Sequence, residues 1–278
     1  MFLSAIVFGV AAVGGYLYAI RPNSGREERM RPFQERFIAH RGLFDNKSEA
    51  PENSMAAFKK AVEAGYGIEL DVQLTTDGKL VVFHDGNMKR ICGVKKRVVD
   101  CSYEEVERYL LAHSQERIPL FRDVMDLIGG RVPVIIEVKP DGDHIGAVKQ
   151  VCSYLKNYQG IYCIESFHPS VLHWLKKHHP DIIRGQLSSD FIHDPVDKYW
   201  IGRFGMANLL IDFYGKPDFI AYNFKFARQR SYRLIRKLYT VVNVAWTVRS
   251  QEELEEARKT FSVFIFDSFI PNENKETL

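Results

Sequence analysis

The chain has 278 residues, of which 46% are hydrophobic and 13% aromatic, so it is long enough to bury the core of one barrel-sized domain. Its formal charge is only +3 at pH 7, and basic and acidic residues are mixed along the sequence. This composition argues against a nucleic-acid-binding protein, which usually carries a concentrated basic surface. The four cysteines, Cys92, Cys101, Cys152 and Cys163, lack zinc-site spacing and are expected to be reduced core residues.

The first predicted element is an uncharged apolar segment at residues 2–20, about as long as a bilayer's hydrocarbon core requires. We expect an uncleaved transmembrane helix, with a cleaved signal peptide as the alternative, because no basic residue precedes the segment. The arginines that follow favour a single-pass protein whose main domain is cytoplasmic: Arg21, Arg26, Arg29, Arg31 and Arg36. The predicted organisation is an anchor (1–21), a basic juxtamembrane linker (22–35), one folded domain (36–270) and a C-terminal tail (271–278).

From residue 36 onward, nine short runs rich in Val, Ile and Phe predict strands, and amphipathic segments between most of them predict helices. The strand runs are "FIAH", "GIELDV", "LVVFHD", "VPVIIEV", "IYCIESF", "IIRGQL", "DFIAYNF", "VVNVAWT" and "SVFIFD". The helical patterns include residues 54–64, 144–158, 169–178 and 251–259, the last with Ser250 as its N-cap. This alternation is typical of an α/β protein.

The second and third strand runs are joined only by "TTDGK", whose Asp77-Gly78 pair is a strong hairpin signal. A link this short cannot cross over between parallel strands, so the third strand is expected to run antiparallel to the second. The other eight strands predict a (β/α)8 TIM barrel with a β-hairpin insertion after strand 2, and an open doubly wound sheet is the alternative. The hairpin would return His84 to the carboxyl rim beside Glu69 and Asp71.

Polar residues concentrate at the carboxyl ends of these strands, where barrels of this class carry their active sites. Because alternate residues of a strand share a face, Glu69 and Asp71 point together, as do Glu137 and Lys139. Charged pairs on one face of an apolar strand are costly to bury without compensation, and a divalent cation is the simplest compensation. Salt bridges at the rim without a metal are the alternative.

Seven short motifs occur in order along the chain: "HRG" at 40–42, "PENS" at 51–54, "IELDV" at 68–72, "DGKLVVFHD" at 77–85, "IPLFRDV" at 118–124, "IEVK" at 136–139 and "SF" at 166–167. Each is weak alone, but in this order and spacing they resemble the glycerophosphodiester phosphodiesterase family. Two departures from the family's pattern lie in the last third, at "WTVR" (246–249) and "FD" (266–267). They bear on substrate detail more than on the chemistry.

The resemblance implies a role for each of these rim residues. Glu69, Asp71 and Glu137 are implied to bind one divalent cation, Mg²⁺ or Ca²⁺, since an all-carboxylate set suits a hard cation. His40 and His84 are implied to be the acid/base pair, because an imidazole titrates close to neutral pH.

The resemblance also implies that Arg41 and Lys139 bind the phosphodiester oxygens. Five further residues are candidates for substrate contacts or for supporting the site: Glu52, Asn53, Glu165, Gln186 and Trp246. Glu52 and Asn53 also fit a simple helix start, and Trp246 also fits a buried barrel residue. Asp267 is expected to be structural.

The activity that the resemblance implies is metal-dependent hydrolysis of glycerophosphodiesters to glycerol 3-phosphate and an alcohol, through a cyclic phosphate. The expected substrate is a small molecule derived from lipid head groups, the expected membrane contact is the N-terminal helix, and no nucleic-acid partner is expected. A lysophospholipase D-like enzyme acting on lysophospholipids is one alternative. A catalytically inactive, membrane-tethered lipid-binding scaffold is another, disfavoured because every expected site position is filled.

Overall fold

The computed structural model describes residues 2–191 and 203–272. Its strands are β1 (Ile38–His40), β2 (Gly67–Leu74), β3 (Leu80–Val82), β4 (Val134–Val138), β5 (Tyr162–Ser166), β6 (Arg184–Ser188), β7 (Phe219–Asn223), β8 (Val242–Val248) and β9 (Val263–Phe266). Each lies within or overlaps one of the nine apolar runs, because branched and aromatic side chains fit a pleated, buried surface.

Eight of these strands form a closed parallel barrel in the order β1-β2-β4-β5-β6-β7-β8-β9, since β1 pairs with both β2 and β9. Strand β3 lies outside this ring and runs antiparallel to β2, with Val72 opposite Val82 and Leu74 opposite Leu80. Gly78 supplies the left-handed conformation of the hairpin turn, with φ at 72°. The predicted TIM barrel with a hairpin after strand 2 is therefore confirmed, and the open-sheet alternative is wrong.

Helices surround the barrel and fill the longer connections. They are α1 (Phe2–Ala19), α2 (Arg31–Gln34), α3 (Met55–Glu63), α4 (Lys89–Cys92), α5 (Tyr103–Val106), α6 (Phe121–Ile128), α7 (His144–Leu155), α8 (Pro169–His178), α9 (Arg203–Ala207), α10 (Asp212–Gly215), α11 (Arg230–Leu238) and α12 (Gln251–Arg258). Short 3-10 turns cover Glu27–Met30, Val98–Asp100 and Phe224–Phe226. As predicted, Ser250 is the N-cap of α12 and accepts a hydrogen bond from the backbone of Glu253.

The alternation of side chains along the strands produces two apolar layers. Ile68 and Ile136 belong to the outer layer, which packs against the surrounding helices. Ile38 and Ile135 belong to the inner layer, and Phe33 of α2 joins it from the amino end of the barrel. Alternate residues of a strand share a face. In β2 and β4, the residues two positions beyond the inner layer therefore also face the barrel interior, at its carboxyl rim.

The apolar N-terminal segment forms α1, whose last turn packs on the barrel: Tyr16 Oη donates to Ser231 Oγ at 2.7 Å, and Ile20 is fully buried. Within residues 2–191 and 203–272, no helix is long and apolar enough to cross a membrane, so the predicted transmembrane span at residues 2–20 is not confirmed. The following linker runs along the amino end of the barrel, where Arg26 pairs with Asp218 at 3.2 Å. Residues 273–278 of the predicted tail lie outside the described residues.

Candidate active site

Three carboxylates from neighbouring strands meet at the carboxyl rim. Glu69 and Asp71 lie in β2 and Glu137 in β4, and the register places Asp71 opposite Glu137. One oxygen from each carboxylate lies within 4.8 Å of the other two. The three residues are almost completely buried, with exposures of 2%, 0% and 6%. The structure therefore brings together the three side chains that the sequence suggests as metal ligands.

Burial and mutual repulsion control the charge of this cluster. Burial raises the pKa of Glu69, and the charge of Asp71 raises it further. Burial also raises the pKa of Glu137, to about 7, against the opposing charge of Lys139. Burial acts in the same direction on Asp71, but the positive charges beside it, led by Lys139, outweigh burial and lower its pKa. Burial and mutual repulsion therefore oppose ionisation of all three carboxyls together, and a bound cation would favour it.

The oxygens of the cluster share one positive neighbour, which indicates that the cluster fits a cation. Lys139 Nζ lies 3.2 Å from Asp71 Oδ1 and 2.8 Å from Glu137 Oε1. Apart from this ammonium, neither buried oxygen has a hydrogen-bond partner among the described residues. Buried polar atoms are normally satisfied, and carboxylate oxygens are the ligands that Mg²⁺ and Ca²⁺ prefer. The donor set therefore fits one hard divalent cation.

His40 ends β1 beside these carboxylates. Its Nε2 lies 3.9 Å from Glu69 Oε2, and its Nδ1 lies 2.8 Å from Asp267 Oδ2. Burial, and then the charge of Arg41, lowers the pKa of His40, so the imidazole is neutral at neutral pH. Because a carboxylate only accepts hydrogen bonds, Nδ1 carries the proton and Nε2 is free to act as a base. Asp267, which we expected to be structural, orients this histidine.

His84 follows β3 and has the same kind of partner. Its Nδ1 lies 2.7 Å from Asp85 Oδ1, and the backbone of Phe83 donates to the Asp71 carbonyl at 3.0 Å. This second bond holds the returning strand of the hairpin against β2, so His84 lies at the carboxyl rim, as predicted from the short β2–β3 turn. Burial, and then the charge of Lys139, lowers the pKa of His84 to about 4. Both histidines are therefore neutral at pH 7.

Two residues with left-handed backbones stand beside the carboxylates. Arg41 and Asn53 both have φ of 57°, which is uncommon for residues other than glycine and is frequent at functional sites. Arg41 donates from its backbone to Glu69 Oε2 at 3.1 Å and from Nη1 to Glu52 Oε1 at 2.7 Å. Asn53 donates from Nδ2 to Asp71 Oδ2 at 2.9 Å. Glu52 and Asn53 thus support the site instead of merely starting a helix.

Arg90, which the sequence analysis does not identify, joins two parts of the site. Its guanidinium donates to both oxygens of Glu52, at 2.7 and 2.6 Å, and to both oxygens of Asp85, at 2.8 Å each. Burial opposes ionisation of Glu52, but hydrogen bonds from Arg90 and the charge of Arg41 lower its pKa to about 2. Glu52, His84 and Asp85 also have the spacing of a metal site. Arg90 already supplies the positive charge there.

The three remaining candidates lie further around the rim. Glu165 pairs in register with Glu137, is 1% exposed, and its Oε2 has no hydrogen-bond partner in the part of the chain that the structure describes. Burial, and then the charge of Glu137, raises its pKa well above 4.5. Gln186 Nε2 donates to the carbonyl of Phe167 at 3.3 Å and so braces the loop after β5. Trp246 meets the Phe167 ring edge-on at 5.7 Å, which forms an apolar wall.

The fold and the site together define a TIM-barrel enzyme class that combines neutral histidines with a carboxylate cluster suited to a cation. The sequence model of the glycerophosphoryl diester phosphodiesterase family matches residues 40–266. The chain belongs to this family.

Known relatives agree with this assignment. The chain is 35% identical over 172 residues to a glycerophosphodiester phosphodiesterase of Bacillus altitudinis, and the aligned region covers 58% of this chain and 69% of that protein. The chain is 30% identical over 173 residues to a human lysophospholipase D, and that aligned region covers 56% of this chain and 53% of the human protein. A solved Oleispira antarctica phosphodiesterase, in complex with the product sn-glycerol-3-phosphate, has the same fold, with a TM-score of 0.67 at 22% identity over 84% of this chain and 92% of that one.

Proposed function

We propose that the protein hydrolyses glycerophosphodiesters to glycerol 3-phosphate and an alcohol. The observation that carries this proposal is the pair of neutral histidines beside the carboxylate cluster, each with a carboxylate on Nδ1. Membership of the family and the activity named for the Bacillus altitudinis relative support it. The product named in the Oleispira antarctica complex is the one expected here, although that likeness itself shows only the fold.

His40 and His84 divide the proton transfers between them. One imidazole removes the proton from the attacking glycerol hydroxyl, and the other, once protonated at Nε2, donates that proton to the leaving alkoxide. Both roles use Nε2, which Asp267 and Asp85 leave accessible by binding Nδ1. Attack by the hydroxyl gives a cyclic phosphate, which water then opens while the two histidines exchange roles.

The charged residues around the histidines would hold the phosphodiester. Glu69, Asp71 and Glu137 would bind Mg²⁺ or Ca²⁺, which when present neutralises charge on the phosphoryl oxygens. Arg41 would bind the same oxygens as a planar fork, and Lys139 as a point charge. Lys139 is buried and Arg41 is mostly buried, both beside the carboxylates, and they carry charge toward any anion bound there.

The other rim residues would bind the rest of the substrate. Glu165 offers an unpaired carboxylate oxygen that can accept a hydrogen bond from a glycerol hydroxyl. The wall of Trp246 and Phe167 offers apolar surface to the glycerol carbons. Gln186 supports this wall through the loop after β5.

Turnover of glycerophosphocholine by the purified chain, with glycerol 3-phosphate measured by mass spectrometry, tests the proposal. We expect wild-type turnover that falls by about 10²–10⁴-fold in His40→Ala and in His84→Ala. His113→Ala is the matched control, because His113 is exposed and outside the site. Unchanged turnover in both site variants would mean that the chemistry lies elsewhere.

Lysophospholipase D activity is the second candidate, supported by the apolar wall and by the human relative's name. Parallel assays on glycerophosphocholine and lysophosphatidylcholine separate the two. Hydrolysis of the lysolipid alone would reject our first choice. Absence of turnover on both, with each divalent cation supplied, would instead favour the inactive scaffold.

We further propose that α1 attaches the enzyme to a lipid surface. Residues 7–15 are all exposed and uncharged, including Phe8 at 78% and Val10 at 68%. A side chain added at Gly9, Gly14 or Gly15 would meet no described atom within 4 Å. None of the described residues therefore covers the segment on any side, and a helix that is apolar all round is stable only in apolar surroundings.

The direction of α1 supports this attachment. Asn23 N donates to the Pro217 carbonyl at 2.8 Å, just before β7 and hence at the amino end of the barrel. Tyr16 instead bonds Ser231 in the first turn of α11, which follows the carboxyl end of β7. Toward its N-terminus the helix thus rises to the catalytic rim, and its residues 2–15 extend about 21 Å further. Lipid bound to this segment would lie on the side of the active site.

Co-sedimentation of the purified chain with phospholipid vesicles tests the attachment. Phe8→Glu should abolish binding, whereas Ile161→Glu, at an exposed position at the amino end of the barrel, should leave it intact. Equal binding by both variants would refute the role of α1. We also propose that the barrel lies on the cytoplasmic side of the membrane, because the cysteines are free and arginines follow α1. Protease accessibility in sealed vesicles tests this location.

A further inference from the structure

We propose that Arg90 is a positioning residue that holds the acid/base residue His84 and the phosphate ligand Arg41 in one rigid arrangement. It acts through two carboxylates, Asp85 and Glu52. The inference rests on the proposed function, because it assigns a role within the same site.

The contacts form one continuous chain. His84 Nδ1 lies 2.7 Å from Asp85 Oδ1, and Arg90 Nη2 donates to the same Asp85 oxygen at 2.8 Å. On its other side, Arg90 Nη2 donates to Glu52 Oε1 at 2.6 Å, and this oxygen also accepts from Arg41 Nη1 at 2.7 Å. Arg90 thus lies between two carboxylates, each of which fixes one functional side chain.

Only an arginine fits this position. Two carboxylates accept four hydrogen bonds from it in total, and the planar guanidinium has five N–H groups in a fixed fork. A lysine ammonium has three donors around one point and cannot bind both carboxylates side-on. The Arg90 side chain is 47% exposed, whereas that of Glu52 is 4% exposed. Arg90 therefore binds the outer side of the network and acts through its partners.

The backbone of Arg90 is itself held in place. Arg90 lies in α4 between two buried residues, Met88 and Ile91, which pack in a small separate core with Val81 and Phe83 of the hairpin. Phe83 directly precedes His84. The segment that carries Arg90 and the hairpin strand that leads to His84 are thus fixed to each other by packing as well as by charge.

The other histidine lacks this connection. Arg249 reaches Asp267 through Nε at 3.1 Å, and Asp267 binds His40. His40 precedes Arg41 in the chain, and Glu69 Oε2 faces both, but among the described residues no second carboxylate joins Arg249 to the guanidinium of Arg41. Loss of Arg90 should therefore disturb His84 and Arg41 together, which loss of Arg249 should not.

Steady-state kinetics on glycerophosphocholine test the inference with Arg90→Ala, Arg90→Lys, His84→Ala and the double variant His84→Ala/Arg90→Ala. We expect Arg90→Ala to lower kcat by about 10–100-fold and Arg90→Lys to recover little of it. Because part of the loss in Arg90→Ala comes through His84, the double variant should lose less than the product of the two single losses. Millimolar guanidinium should partly restore Arg90→Ala but not His84→Ala.

Arg108→Ala is the matched control: Arg108 lies in the same connection between β3 and β4, and its one ion pair among the described residues is with the exposed Glu104, four residues earlier. A wild-type kcat in Arg90→Ala, or losses that multiply in the double variant, would overturn the inference. A wild-type enzyme without turnover would instead refute the proposed function. Even then, a crystal structure of Arg90→Ala with the His84 ring unmoved would overturn the positioning role.

Discussion

Glu52→Gln tests the charge network behind the rim, because glutamine keeps the shape of the side chain and loses its charge. Glu52 is 4% exposed and accepts hydrogen bonds from Arg41, Arg90 and Asn46. Burial alone would raise its pKa, but these donors lower it from 4.5 to about 2. The carboxylate is therefore ionised throughout the range in which the protein works.

The size of the effect follows from this pKa. A folded-state pKa below the unfolded value means that the carboxylate stabilises the fold above pH 4.5, and that this stabilisation is lost as the pH falls through about 2. A pKa difference of about 2.5 corresponds to about 3.4 kcal/mol at pH 7, and to roughly 2 kcal/mol once solvent screening of half-exposed Arg90 is included. At pH 3, only about 40% of this contribution remains.

Urea unfolding followed by circular dichroism measures the contribution of the Glu52 charge to the free energy of unfolding, in wild type and Glu52→Gln at pH 7 and pH 3. At pH 7 the variant should be less stable by roughly 2 kcal/mol, and at pH 3 this difference should shrink by more than half. Glu63→Gln is the control, because Glu63 is 60% exposed and only approaches Lys59 to 3.9 Å, so its effect should stay below about 0.5 kcal/mol. An equal loss at both pH values would refute the account of Glu52.

Three further predictions follow from the same site. Asp267→Asn should lower kcat by about 10–100-fold with little change in KM, because Asp267 orients His40; steady-state kinetics with only KM altered would contradict this. Gly42→Ala should lower the free energy of unfolding by about 1–3 kcal/mol, because Gly42 has φ of 82° and an added Cβ would lie 2.9 Å from the Ala57 backbone; an unchanged Tm would show the strain to be absent. Chelation of divalent cations should lower Tm, and Mg²⁺ or Ca²⁺ should restore it, because a cation held by the three carboxylates would bind only the folded protein; scanning fluorimetry with no shift would argue against a cation.

The barrel and much of its rim could be predicted from the sequence because they depend on local rules. The two-residue period of a strand decides that Glu69 and Asp71 share a face, and the Asp77-Gly78 turn decides that β3 reverses. Once eight parallel strands close, their carboxyl ends meet whatever the helices between them do. The predicted ligands and histidines therefore converge as expected.

The parts that sequence could not predict depend on tertiary packing. Arg90 lies in an irregular excursion after β3, where short helices and turns give no clear period, and its aim depends on the small core around Met88 and Ile91. Asp267 follows the last strand, and its contact with His40 arises only when β9 closes the barrel against β1. Hydropathy likewise describes the composition of α1 but not the docking of Tyr16 on the barrel.

We propose that Glu69, Asp71 and Glu137 share one divalent cation. Calorimetric titration of the metal-stripped protein with Mg²⁺ and with Ca²⁺ tests it most directly, because it does not depend on the substrate. We predict about one site per chain for at least one of the two ions, weakened more than tenfold in Glu137→Gln. Unaltered binding in that variant, or no binding of either ion by the wild type, would contradict the account.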